Sequence, residues 1–129
     1  MNTHFYIIDD DELFLKLGKM YLEMGNCTSS VTLFNDASQA LNVIETIMES
    51  VVDQRYVIFL DLNMPILNGF GFLEALEKKP KYLQKNIQIY VLTSSINHED
   101  IERIKQYKSV TEYLNKPMTR EMVQHVCAS

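Results

Sequence analysis

Short apolar runs alternate with longer segments whose apolar residues recur at helical spacing, five times along the chain. The pattern predicts strands near 4–9, 29–34, 56–60, 87–92 and 111–114, and helices near 11–25, 37–51, 69–79, 98–107 and 119–127. Such alternation implies a parallel sheet with helices on both faces. Phe5–Ile8, Tyr56–Leu60 and Ile89–Leu92 are nearly uninterrupted, as strands buried on both faces require. Thr28–Phe34 and Val110–Leu114 interleave polar residues and read as edges. The expected fold is therefore α/β: a doubly wound, five-stranded parallel sheet in a three-layer, flavodoxin-like sandwich of order 2-1-3-4-5.

In the first helix Leu13, Leu17, Met20, Tyr21 and Met24 form the apolar stripe expected to pack on the sheet. The corresponding stripe of the second is Ala37, Ala40, Leu41, Ile44, Ile47, Met48 and Val51. Asp36 is expected to cap the second helix, Pro80 to help stop the third, and Asn97 or Ser95 to cap the fourth. The fourth helix has the thinnest stripe, Ile101, Ile104 and Tyr107, and is the element expected to move.

A chain of 129 residues with 47% apolar and 22% charged residues fits one globular domain, here 1–129. Lys plus Arg number 12 against 17 Asp plus Glu, a net charge of −5, which opposes direct nucleic-acid binding. Acids follow the first apolar run at once, which fits neither a signal peptide nor a membrane span. Cys27 and Cys127 lack CxxC spacing or a neighbouring His cluster, so neither a zinc site nor a disulfide framework is expected and a cytoplasmic location is the simplest reading. His4, His98 and His125 are scattered and read as surface or structural residues.

The candidate chemistry lies just past the apolar runs: Asp9 and Asp10 after the first strand, Asp61 after the third, Thr93 after the fourth and Lys116 past the fifth. In an open doubly wound sheet these carboxyl ends form the ligand crevice. Two carboxylates about 4 Å apart repel by about 4 kcal/mol at an effective dielectric near 20, so a cluster of them needs a cation or a proton. Mg²⁺ suits such a cluster because it takes a few carboxylate oxygens and leaves positions for water and phosphoryl oxygens. Asp11 falls at the start of the first helix and reads as its cap, and Asn68-Gly69 as turn chemistry with close backbone approach.

Four motifs then stand in order: Ile7-Ile8-Asp9-Asp10, Asp61-Leu62-Asn63-Met64-Pro65 with Asn68-Gly69, Leu92-Thr93-Ser94, and Tyr113-Leu114-Asn115-Lys116-Pro117. Together they resemble a response-regulator receiver domain of two-component signalling, over residues 5 to about 127. The resemblance implies that Asp61 accepts a phosphoryl group from a phosphohistidine on a sensor histidine kinase or a phosphotransfer protein. It implies Mg²⁺ (or Mn²⁺) held by Asp9, Asp10, Asp61 and the backbone carbonyl of Asn63. By the same resemblance Lys116 pairs with a phosphoryl oxygen, Thr93 supplies the hydroxyl that moves toward the phosphate, and Tyr113 is the aromatic switch. Asn63 and Ser95 take positions that influence hydrolysis, and Lys116-Pro117 is expected to be a cis peptide.

The chain then looks like a stand-alone receiver, with no activity beyond its own phosphorylation and dephosphorylation. Its output would be a downstream protein, a phosphorelay or a homodimer, through the face of the fourth helix, fifth strand and fifth helix. The alternative is a receiver-like interaction module that never sees phosphate. An aspartate-nucleophile phosphatase fits less well, because Asp9-x-Asp11 is followed by Leu13. A flavin or dinucleotide binder would need a Gly-rich loop after the first strand, which the sequence lacks.

Overall fold

The computed structural model describes residues 2–27, 30–49, 54–64, 67–79, 86–94 and 97–128. Five strands, β1 (Thr3–Ile8), β2 (Ser30–Phe34), β3 (Arg55–Asp61), β4 (Asn86–Thr93) and β5 (Val110–Asn115), alternate with α1 (Glu12–Met24), α2 (Ala37–Glu49), α3 (Gly69–Glu77), α4 (His98–Lys105) and α5 (Arg120–Ala128). The strands are all parallel in the order β2-β1-β3-β4-β5, so the two runs read as edges are the edges. An irregularity between Ile89 and Tyr90 shifts the register of β4 against β5.

Strand alternation divides the core. Tyr6, Ile8, Ile58 and Leu60 face one side and pack with Ile44 of α2, Phe72 and Leu73 of α3 and Ile104 of α4. Phe5, Ile7, Val57 and Phe59 face the other and pack with Leu15 and Leu22 of α1 and Val123 and Val126 of α5.

The caps follow side-chain chemistry. Asp11 accepts from the Leu13 and Phe14 N–H groups, Asp36 from Ser38, Asn68 from Gly71 and Asn97 from Glu99. Thr119 accepts from Met122 at the start of α5, a cap the sequence reading did not single out. The expected roles of Pro80 and Ser95, the motif residue Pro65, residue Val51 and the side chain of Met48 lie outside the described residues. The remaining α2 stripe is packed as expected. In α4 only Ile104 is buried, and polar ties to α3 supplement it: Arg103 and Tyr107 both donate to Glu74.

Two expectations are corrected. On α1, Leu13, Leu17, Met20 and Met24 are 66%, 40%, 46% and 53% exposed, and the buried residues are Leu15, Gly18 and Leu22. The helix carries apolar residues on two faces, and Gly18 decides between them. A Cβ there would lie 2.8 Å from Ile7 Cδ1, so this face sits tight on β1. The second correction concerns the cysteines: Cys27 and Cys127 form a disulfide with Cα atoms 5.9 Å apart across 100 residues. α1 and α5 pack on the same face of the sheet and bring their C-terminal ends together, which spacing along the chain does not reveal.

Candidate phosphoacceptor site

Asp9, Asp10, Asp61, Thr93 and Lys116 all stand at or just past the carboxyl ends of strands, while Tyr113 lies within β5. Asp9 follows β1, Asp61 ends β3 and Thr93 ends β4; all three are buried. Asp9 is fixed twice, its N–H donating to the Phe34 carbonyl at 3.0 Å and its Oδ1 accepting from the Asp11 N–H at 2.9 Å. Asp10 is exposed at the mouth. Carboxylate oxygens of Asp9, Asp10 and Asp61 all lie within 4.8 Å of one another.

Lys116 enters from the loop after β5. Its N–H donates to the Thr93 carbonyl at 3.0 Å, and its preceding strand pairs Asn115 with Thr93. The Lys116–Pro117 peptide is cis, as expected. Lys116 Nζ donates to Asp9 Oδ2 at 2.8 Å and stands 3.4 Å from Asp61 Oδ1. Below it lies the Phe14 ring, with Nζ 4.5 Å from the centroid. Phe14 falls in the first turn of α1, just past the acids at the end of β1, and that position is the signal that could have marked it.

Burial pushes the Asp61 carboxyl above its ordinary pKa and the Asp9 charge pushes it further, while Lys116 and the Asn63 N–H hold it back. Burial works against the Lys116 charge, but the Asp9 hydrogen bond and the charges of Asp61 and Asp9 outweigh it and raise the Lys116 pKa. Among the described residues three carboxylates thus face the Lys116 ammonium, an excess of negative charge that a cation would relieve.

Gly69, the first residue of α3, underlies the loop after β3. A Cβ there would meet the Asp61 carbonyl oxygen at 2.6 Å and Leu62 Cα at 2.8 Å, and its N–H donates to the Leu62 carbonyl at 3.0 Å. Backbone cannot give way as a side-chain tip can. Gly69→Ala is expected to cost about 1–3 kcal/mol, read as a lower urea midpoint, with Asp61 displaced from Lys116.

Asn63 is exposed in the loop after β3, where its carbonyl has been expected to serve a metal. Tyr113 is half-buried against the core beside α4. It lines a groove of 630 Å³ with Ile104, Tyr107 and Val110. The structure therefore gathers Asp9, Asp10, Asp61 and Lys116 into one cluster, sets Thr93 at its edge through the Lys116 backbone, and leaves Tyr113 on the neighbouring surface. No helix among the described residues is long and apolar enough to cross a membrane.

Known proteins share this fold. A response regulator from Cytophaga hutchinsonii is similar at a TM-score of 0.84 and 19% identity, over 97% of this chain and 93% of that one. A response regulator receiver protein from Dyadobacter fermentans gives 0.77 at 27% identity, over 95% and 96%. The chemotaxis protein CheY4 of Vibrio cholerae gives 0.78 at 23%, over 99% and 98%. The family model for the response regulator receiver domain matches residues 5–127, and the chain belongs to that family.

Proposed function

We propose that this receiver accepts a phosphoryl group on Asp61 from the phosphohistidine of a sensor kinase or phosphotransfer protein, and signals through the face of α4, β5 and α5. The observation that carries this reading is the buried Asp61 carboxylate at the carboxyl end of β3, with Lys116 Nζ 3.4 Å away. Asp61 supplies the nucleophile. Its carboxylate oxygen attacks phosphorus, the P–N bond breaks, and the imidazole leaves with the electron pair. Lys116 meets the charge on the transferred oxygens, so positioning and electrostatics carry the reaction.

The donor set is suited to Mg²⁺ or Mn²⁺, being hard carboxylate oxygens from three residues at one mouth. Asp9, Asp10 and Asp61 would hold the ion, joined by the Asn63 carbonyl, and the ion would neutralise phosphoryl oxygens. No separate substrate is turned over; the chain acts only on its own acyl phosphate. The new charge draws the Thr93 hydroxyl inward, and Tyr113 follows into the space beside α4, a helix with one buried residue, Ile104.

A protein donor has to cover the surface beside Lys116. There α1 and the loop after β5 frame an apolar groove of 360 Å³, with Phe14, Leu17, Tyr21, Pro117 and Met118 along it. Its floor residue Phe14 also supports Lys116, which joins the groove to the chemistry. Donor docking here accounts for the exposure of Leu17, which the sheet leaves uncovered. The test compares two donors by intact mass in the presence of Mg²⁺. The native chain takes a phosphoryl group from acetyl phosphate and from a phosphorylated histidine protein. Leu17→Asp is expected to slow the protein donor by about tenfold or more and to leave acetyl phosphate unaffected. Equal loss with both donors contradicts the docking site, and no gain by the native chain from either donor contradicts the function.

A further inference from the structure

Cys27 and Cys127 lie at the opposite end of the molecule from Asp61. Cys27 follows the C-terminal end of α1, Cys127 is in the last turn of α5, and both helices run back from the strand ends that carry the acids. The bond therefore cannot act on phosphoryl chemistry by contact.

Its mechanical role falls on α5. That helix has only nine residues, too few to persist alone in water. Val123 and Val126 hold its inner face, and the Val126 carbonyl accepts from Arg55 Nη2 at 3.0 Å. The disulfide is the covalent addition, joining the last turn to the connection before β2. Both faces of the sheet have buried apolar cores of their own, and the two cysteines pack at the margin of one of them rather than inside it. Disulfides that are indispensable to folding belong mostly to small domains unable to build such a core. Both cysteines are also only half-buried, within reach of a small thiol.

From these observations we propose that Cys27 and Cys127 form a reversible thiol–disulfide pair that sets how firmly the last turns of α5 are held. Its exchange partner is a low-molecular-weight thiol and disulfide couple of the glutathione class. In closing, the thiolate of one cysteine attacks oxidised glutathione, forming a mixed disulfide and releasing one glutathione thiolate. The other cysteine, as thiolate, attacks the protein sulfur of that mixed disulfide and releases the second. Two electrons pass to glutathione, and the two protons lost by the cysteines end on the two released thiolates. Opening is the reverse.

The test needs neither phosphodonor nor Mg²⁺, so its outcome is independent of the proposed phosphoryl transfer. The folded chain is equilibrated in buffers graded from reduced to oxidised glutathione, quenched in acid, alkylated and weighed. Both cysteines are expected to be alkylated at the reduced end and neither at the oxidised end. Amide exchange over Arg120–Ala128 is expected to be about tenfold or more faster in the reduced form, while β1 and β3 stay within about twofold. Cys27→Ser reproduces the reduced pattern in either buffer. A bond that stays closed in excess reduced glutathione overturns the proposal, as does a pair that stays open in excess oxidised glutathione. Equal α5 exchange in the two forms overturns it as well.

Discussion

Asp61→Asn is expected to abolish the mass gain from acetyl phosphate completely and, at the same time, to make the protein melt at a higher temperature. The first effect follows because the amide is no nucleophile toward phosphorus. The second follows from the electrostatics of the unphosphorylated site, where burial and the Asp9 charge both raise the Asp61 pKa. A carboxyl raised in the folded state costs stability wherever it is ionised. The advantage of the amide is therefore full at neutral pH. It shrinks as pH falls through the raised pKa and vanishes below the ordinary aspartate value. Melting scans of both proteins in EDTA at graded pH read this directly. A gain of a few degrees at neutral pH corresponds to about 1 kcal/mol in a chain of this size. A variant less stable than the native chain at neutral pH contradicts the charge assignment.

Lys116→Ala is expected to lose on both counts. Removing one donor to the developing phosphoryl charge typically slows a reaction by about 10²–10³-fold, and the loss should be read as the rate of mass gain from acetyl phosphate. The same substitution leaves Asp9 without its 2.8 Å partner and Asp61 without its nearest cation. With the ammonium partly exposed, the destabilisation is about 1–3 kcal/mol rather than the full cost of stranding a buried charge. A raised lysine pKa means that this contribution is present throughout the neutral range and is lost only as pH rises through the folded-state value. Divalent cation should restore more stability to Lys116→Ala than it adds to the native chain, since the ion then relieves repulsion that the ammonium formerly relieved. Equal stabilisation in the two proteins contradicts a shared electrostatic role.

Much of this molecule is legible in its chain, for identifiable reasons. Strand burial on both faces leaves continuous apolar runs, so Phe5–Ile8, Tyr56–Leu60 and Ile89–Leu92 declare themselves as central and the other two runs as edges, a placement consistent with the doubly wound order that the sheet adopts. The acids are legible because they sit immediately after those runs, where a parallel sheet gathers its strand ends. What the chain hides depends on comparing two faces of one element. In α1 both the 13-17-20-24 row and the 15-18-22 row qualify as apolar, and only the close approach of Gly18 to Ile7 selects the second. The larger side chains of the first row point outward, where a partner rather than the sheet can use them. Cysteine pairing was hidden for a related reason. A contact across 100 residues arises from two helices ending side by side, and no local spacing encodes it. The Phe14 floor beneath Lys116 belongs to the same class, a contact between the start of α1 and the loop after β5.

Phosphorylation is proposed on one carboxylate among three neighbours, Asp9, Asp10 and Asp61, and locating the phosphoryl group distinguishes them. The chain is treated with acetyl phosphate and Mg²⁺, the acyl phosphate is reduced with borohydride, and the peptides are sequenced by mass spectrometry for homoserine. Conversion at Asp61, with Asp9 and Asp10 unchanged, is the predicted result. Homoserine at Asp9 or Asp10, or at no aspartate despite excess donor, would contradict the account.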